Sequence, residues 1–351
     1  MIGVFKPMKM GVCTDIRLLC GGLCLMLSSV VHASEINIYS YRQPFLIKPI
    51  LDAFEQQSGI QVNVVYVRKA LVRRLEVEGD QSVADLVLTA DIGPLYALKQ
   101  ARLIQPVKSP VLRRNIPVKY RDADSQWFGL TSRSRIIYTS TLRLAADAVG
   151  RYEELADRRW QGRVCSRSGK HKYMLSLISS LILANGETAT EQWLRDVKAN
   201  LARRPGGNDR AQIKAISDGV CDIALANSYY FGKILTNERK PEQQVWAKAV
   251  RLVFPNQDDR GAHMNISGIA LSRYAPHKDA AIQLMEYLSS EQAQFMYAQS
   301  NFEFPVREGT PRAELIETYM GEFKEDERPL GQIAARRQQA LALVEKVGFD
   351  D

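Results

Sequence analysis

Beyond residue 33 this 351-residue sequence has only two cysteines, Cys165 and Cys221, since Cys13, Cys20 and Cys24 all fall before that point. Two cysteines exclude a disulfide-dense scaffold and a clustered-thiolate zinc site. The four histidines never recur at His-x-x-x-His spacing, and no EF-hand loop occurs, so zinc and calcium have little to bind. Also absent are Gly-x-Ser-x-Gly, a Walker loop and a dinucleotide fingerprint, which leaves no nucleophile or phosphate cradle on which to build an enzyme, and no catalytic residue is expected. Formal net charge is +8, but lysine and arginine are dispersed among aspartate and glutamate without a run of five or six like charges. That pattern describes a solvated surface and no nucleic-acid partner. Past residue 33, no segment approaches the roughly 18 to 20 uninterrupted apolar residues that a membrane span requires.

The first 33 residues do carry a pattern. Lys6, Lys9 and Arg17 precede an apolar stretch from Leu18 to Val31, and Val31-His32-Ala33 supplies a cleavage site. This is the form of a secretory signal peptide over residues 1–33, and it predicts an exported mature chain. In an oxidising compartment Cys165 and Cys221 are expected to pair; two buried free thiols are the alternative.

Hydrophobic periodicity alternates between strand and helix. Ile36 to Tyr41 and Ile60 to Val67 read as strands around a helix from Phe45 to Gln57, followed by a helix at Ala70 to Glu78, a buried run at Ala84 to Thr89 and a helix from Asp91 to Gln100. Trp127 to Tyr138 is one long extended segment. A second set follows, with strands at Arg163 to Ser166 and Cys221 to Ala226, helices at His171 to Ala184 and Thr190 to Leu201, and a helix Arg210 to Asp218 that Asp209 is expected to cap. Extended segments at Val250 to Phe254 and Ala262 to Leu271 precede helices at His277 to Leu288, Gln292 to Ser300 and Ile333 to Val347. The reading is an α/β chain of two lobes joined by crossings near Leu130 to Arg135 and Ala262 to Ile269. The first lobe takes residues 34–132 and 263–306, the second 133–262 and 307–351. Ligands of open α/β sheets bind beyond the carboxyl ends of the strands, which would bring Tyr41, Asp91, Tyr229 and Tyr230 to one cleft.

Tyr229 and Tyr230 follow the apolar run Ile223 to Ala226, with Asn227-Ser228 between as a helix cap. Two phenolates side by side are hard anionic donors suited to a ferric ion, although adjacent aromatics also serve simply as packing. Six ordered segments bear on the choice: Ile36-Asn-Ile-Tyr39-Ser40, Ala84-Asp-Leu-Val-Leu-Thr89-Ala-Asp91, Trp127-Phe-Gly-Leu-Thr131-Ser-Arg133-Ser-Arg135, Gly207-Asn208-Asp209-Arg-Ala-Gln212, Ala226-Asn-Ser-Tyr229-Tyr230-Phe-Gly232 and Phe254-Pro-Asn-Gln257. Through them nearly the whole mature chain resembles the periplasmic ferric iron-binding proteins of ABC importers, the transferrin-like group of type II solute-binding proteins.

The resemblance implies a Venus-flytrap fold, a monomer in the periplasm, Fe(III) as cargo and an inner-membrane ABC permease as partner. It implies Tyr229 and Tyr230 as metal ligands. Tyr138 is a further candidate, although it follows Arg135 one position earlier than the family's tyrosine, and a one-residue slip reverses the face of a strand. Where relatives place histidine or His-Tyr this chain has Gln43-Pro44, so Tyr41 becomes the first-lobe candidate. Arg133 and Arg135 are expected to hold a carbonate-like or phosphate-like synergistic anion. Asn208, Asp209 and Gln212 would cap a helix and orient a tyrosine; His263 and His171 are weighed because histidine is a common metal ligand, and His263 is expected to be structural. The alternative function is a flytrap binder for another solute, a polyamine, a phosphonate or an oxyanion.

Overall fold

The computed structural model describes residues 35–67 and 70–351, and the signal peptide expected over residues 1–33 lies outside them. Ten strands carry the fold: β1 (Glu35–Ser40), β2 (Gln61–Tyr66), β3 (Leu86–Thr89), β4 (Ile104–Gln105), β5 (Phe128–Ser140), β6 (Val164–Cys165), β7 (Ile223–Asn227), β8 (Val250–Val253), β9 (Met264–Ser272) and β10 (Phe304–Pro305). They run in the order β2-β1-β3-β9-β5-β7-β6, with β4 on β9 and both β8 and β10 on β5. The first three are parallel, β9 joins antiparallel between β3 and β5, and β6 and β7 are parallel. Helices cover the sheet faces, as parallel strands require.

β5 is the seam. Up to Ser134 it pairs with β9 in the first lobe, and from Arg135 onward it pairs with β7 and β8 in the second. The expected first crossing therefore falls between Ser134 and Arg135, and β9 makes the return, starting at Met264. Alternation along a strand separates neighbours by face. In β5, Ile137 enters one second-lobe core with Ile178, Leu225 and Leu343, whereas Ile136 and Tyr138 enter another with Ile213, Ala224 and Phe231. The first-lobe core gathers Ile36, Ile38, Leu86, Leu88, Ile269 and Leu284. Cys165, in β6, and Cys221, two residues before the neighbouring strand β7, are joined in a disulfide.

The chain after residue 306 departs from the expected assignment to the second lobe. Helices Glu314–Met320 and Arg337–Val347 do bury Ile316, Leu343 and Val344 there. The short helix Leu330–Ala335 between them buries Leu330, Ile333 and Ala334 in the first-lobe core, because those residues present one apolar face to it. Among the described residues, no helix is long and apolar enough to cross a membrane.

Candidate functional site

Two helix starts build the site. β7 ends at Asn227, and after Ser228 the helix Tyr229–Leu235 begins with the tyrosine pair in its first turn. Ser228 is the residue before the helix, but its hydroxyl accepts from the Ser134 amide (3.3 Å) rather than capping. β6 likewise feeds the helix Lys172–Asn185, capped by His171, whose Nδ1 accepts from the Tyr173 amide at 3.2 Å. Tyr173 thus stands in the first turn of a second helix, aimed at the same space. Its hydroxyl lies 3.4 Å from that of Tyr229, and the Tyr229 and Tyr230 rings stack with centroids 4.5 Å apart. Tyr229 and Tyr230 do come together, and the third phenol beside them is Tyr173.

These three phenols line a cavity of about 520 Å³ together with Tyr41, Gln43, Lys172, Arg210, Lys233, Arg42 and Glu303. Burial raises the Tyr229 phenol well above its ordinary range, with Tyr173 and Tyr230 adding to the effect. Burial, then the Asp209 charge, pushes Tyr230 up to about 12. Both are protonated at neutral pH until something replaces the proton. Cations lie over the rings: Lys172 Nζ, Arg210 Cζ and Lys233 Nζ are each 5.3 Å from the centroids of Tyr173, Tyr230 and Tyr229 respectively, and Arg167 Cζ is 5.4 Å from that of Tyr173. Lys233 is brought down to about 8, chiefly by desolvation, with Arg42 and Arg210 contributing and Glu303 opposing.

The first-lobe wall is an ion pair. Buried Arg42 donates to Glu303 Oε2 at 2.5 Å, and the same oxygen accepts from Thr131 Oγ1 at 2.6 Å. Desolvation would lift the Glu303 carboxyl, but Arg42 and Arg133 more than offset it and hold it below the usual range. Tyr41 lines the cavity, and its hydroxyl accepts from the Leu71 amide at 2.9 Å, anchoring the start of the helix Leu71–Glu78.

Several expected site residues are spent elsewhere. Tyr138 is fully buried on the β5 face shared with Ile136, where its hydroxyl donates to the carbonyls of Asn227 (3.1 Å) and Ser228 (3.2 Å). It lies behind the tyrosine pair and outside the cavity, as the one-residue slip implied. Arg135, expected at an anion, donates to Asp209 (2.8 Å), Asn227 Oδ1 (3.1 Å) and Leu225 O (2.9 Å) inside the second lobe. Arg133, on the same face of β5 but in the other sheet, donates to Ser267 Oγ (3.1 Å) and to Ala90 O, with its Cζ 5.8 Å from the Tyr173 ring. Neither residue is among those that line the cavity. Asp91 does not reach the cavity either: it caps the helix Ile92–Gln100 through Gly93, accepts from Asn265 and meets Arg337.

Asp209 was expected as a cap, but Asn208 takes that role, accepting from the Ala211 amide at 3.0 Å. The Asp209 carboxylate is instead fully buried between Arg135 (2.8 Å) and Arg167 (2.9 Å), and accepts from the Asn227 amide at 3.1 Å. Its oxygens therefore fix the end of β7, two residues before Tyr229. His263 bonds Ser176 Oγ at 3.1 Å, in the structural role expected, and His171 caps. Burial first, and then nearby arginines, bring each imidazole down to about 3, so both rings are neutral. Tyr173 and Arg42 were not singled out from sequence. Tyr173 stands, like the pair, in the first turn of a helix that follows a strand, but residues 166–171 separate that helix from β6.

Residues 81–318 match the family model described as bacterial extracellular solute-binding protein. The chain is 38% identical over 316 residues to iron uptake protein A1 of Synechocystis sp., covering 90% of this chain and 87% of that protein. It superposes on the open conformation of Mannheimia haemolytica ferric iron-binding protein A with a TM-score of 0.84 at 45% identity, covering 91% and 100% of the two chains. A Trichodesmium protein in complex with iron and citrate ligands gives a TM-score of 0.86 at 37% identity, covering 90% and 100%. By sequence and by fold alike, the chain belongs to the bacterial extracellular solute-binding protein family, in the group that holds the ferric-binding proteins.

Proposed function

We propose that this protein is the periplasmic carrier of an iron importer, closing its two lobes on Fe(III) and delivering it to an ABC permease. The observation that carries the reading is the convergence of Tyr173, Tyr229 and Tyr230 in one cavity, with two hydroxyls 3.4 Å apart and two rings stacked. Phenolate oxygen is a hard donor, and three phenolates balance the charge of one ferric ion. Among the described residues there is no cluster of three histidine, cysteine, aspartate or glutamate side chains able to hold a metal, so the tyrosines are the available donor set. Tyr41 stands at the cavity wall but outside this set, because its hydroxyl is engaged with Leu71. Tyr138 holds the backbone beneath the pair.

The chemistry follows from the protonation state. A trivalent ion displaces phenol protons, so iron and protons compete for the same oxygens and acid weakens binding. Reduction to the softer ferrous ion weakens it as well, which supplies a route to release. A cationic solute such as a polyamine is disfavoured, since the cavity presents Lys172, Arg210 and Lys233, and its one carboxylate near them, Glu303, is paired with Arg42. The test is a titration of metal-free protein with chelated Fe(III), read by the phenolate-to-iron charge-transfer band. A coloured one-to-one complex is expected; no band, with thermal stability unchanged, would refute the reading.

A further inference from the structure

Tyr173 is held differently from the pair beside it. Only Ser228 separates β7 from the helix that carries Tyr229 and Tyr230, and β7 is paired over its whole length with β5. Before Tyr173, the short strand β6 gives way to a loop of residues 166–171, so no sheet register fixes where that helix starts. Each loop residue left free has conformational entropy to lose when Tyr173 is brought to a metal.

The loop is fastened from the segment that follows the helix Arg337–Val347. Asp350 Oδ1 accepts from the Gly169 amide at 2.7 Å and its Oδ2 from the Ser168 hydroxyl at 2.6 Å, so one carboxylate holds two adjacent loop residues. Beside it Phe349 is fully buried, and a methyl on Gly169 would stand 2.9 Å from both Phe349 Cδ1 and Val344 Cγ1. Only glycine lets the loop backbone come this close. Asp350 is itself fixed, because Arg204 donates to its carbonyl at 2.7 Å and the Phe349 amide donates to Val344 O at 3.0 Å. From Ser168 the order passes to the helix start: its carbonyl accepts from the His171 amide at 3.1 Å, and His171 caps the turn that contains Tyr173. The Lys170–Glu345 pair also joins loop to helix, but both groups are about half exposed and such pairs contribute little. Neither Asp350 nor Ser168 lines the cavity.

We propose that Asp350 is a positioning residue for the ferric site, its carboxylate pinning Ser168 and Gly169 so that Tyr173 stands where it can share a metal with Tyr229 and Tyr230. The proposal rests on the ferric reading and adds to it a residue outside the cavity. Hydrogen bonds to a carboxylate are the strong kind, and the two here act on the Tyr173 loop alone. The pair is held separately, through Asp209 on the Asn227 amide and Tyr138 on the Asn227 and Ser228 carbonyls. Releasing the loop therefore leaves two ligands in place and lets the third wander. Support behind a metal ligand is typically worth about 10–100-fold in affinity.

The full mature chain, freed of metal, is to be titrated with Fe(III) against a competing chelator, with the charge-transfer band as readout, for D350A alone and combined with Y173F or with Y230F. D350A alone is expected to weaken ferric binding by about 10–100-fold. Added to Y230F it should cost a similar factor, but added to Y173F no more than about twofold, since a residue that acts through Tyr173 then has nothing left to position. D350N keeps the shape and one acceptor and goes through the same cycle, with a smaller loss expected, so that a D350A chain unable to fold does not end the test. K198Q, which removes the 3.2 Å bond from the helix Glu187–Ala199 to Val347 O and touches no loop residue, should leave affinity unchanged. Equal losses in wild type and Y173F, no loss in wild type from either Asp350 substitution, or a K198Q loss matching that of D350A would each overturn the proposal and leave the ferric reading standing. A missing band in every chain, wild type included, would strike the ferric reading itself and this proposal with it.

Discussion

Removing the Asp209 carboxylate isolates the part of the second lobe that holds the tyrosine pair in place. In Asp209→Ala, Arg135 and Arg167 lose a partner at 2.8 and 2.9 Å, and the Asn227 amide loses an acceptor at 3.1 Å. Asp209 is wholly buried, and the two guanidiniums nearly so. Breaking a buried pair from one side strands the other charge and costs about 3–5 kcal/mol. At the roughly 2–4 °C per kcal/mol typical of larger domains, the melting temperature should fall by about 6–20 °C in differential scanning calorimetry. Asp209→Asn retains the shape and one acceptor, and should recover part of the loss. The effect should also depend on pH in a defined direction. Desolvation raises the Asp209 carboxyl, but Arg135 and Arg167 more than offset it, leaving it below the usual range. A group with a depressed folded pKa stabilises above its unfolded value of about 3.9 and loses that contribution as pH falls through the folded value. The gap between wild type and Asp209→Ala should therefore be constant above about pH 5 and narrow below about pH 4. A variant melting within about 2 °C of wild type at neutral pH would refute the reasoning.

Single phenylalanine substitutions at Tyr173, Tyr229 and Tyr230 should each weaken ferric binding by about 100-fold or more, beyond the 10–100-fold typical of residues behind the ligands, whereas Tyr41→Phe should retain the charge-transfer band. Because Tyr229 and Tyr230 are held protonated by burial, capture must expel at least those two protons. Apparent affinity at fixed free Fe(III) should rise by at least roughly 100-fold per pH unit between about pH 6 and pH 8, and a flat profile would count against phenolate ligation. Replacing both Cys165 and Cys221 by serine opens a loop with a sequence separation of 56, for which chain entropy gives about 4 kcal/mol. Urea unfolding should show a loss of about 2–4 kcal/mol, and an unchanged midpoint would mean that the bridge contributes nothing.

The parts of this fold legible from sequence were those where one physical signal dominates. Alternation marked β1, the apolar run marked β3, and the length of the Trp127 to Tyr138 segment marked a strand long enough to leave one lobe for another. The tyrosine pair was visible because adjacent phenols past a strand end are chemically conspicuous. Less legible were matters that depend on which face is covered. The side of β5 that Tyr138 faces follows from the helices packed on it, and spacing alone does not reveal them. Asn208 and Asp209 are both capping types, so their division into a cap and a buried acceptor is decided by Arg135 and Arg167, which arrive from distant segments. Arg42 pairs with Glu303, which lies 261 residues further along the chain, and nothing local to Arg42 signals that partner. Tyr173 is a lone tyrosine in a helix that residues 166–171 separate from the strand before it, and the helix Leu330–Ala335 is too short for its periodicity to declare a lobe.

The placement of β9 between β3 and β5 has a consequence for the order of assembly. A nascent chain ending before residue 264 has made β1, β2, β3 and β5 but not the strand that joins them, so its first sheet remains two pieces with open edges. The first core then waits for Leu330 and Ile333, and the second for Leu343 and Val344. Neither lobe is an independent early product of synthesis, and both close over the same late stretch of chain. Fragments truncated after residue 250 should be cut by protease throughout, at rates far above those of the full chain, whereas a resistant first-lobe fragment would show that β9 is dispensable for its closure.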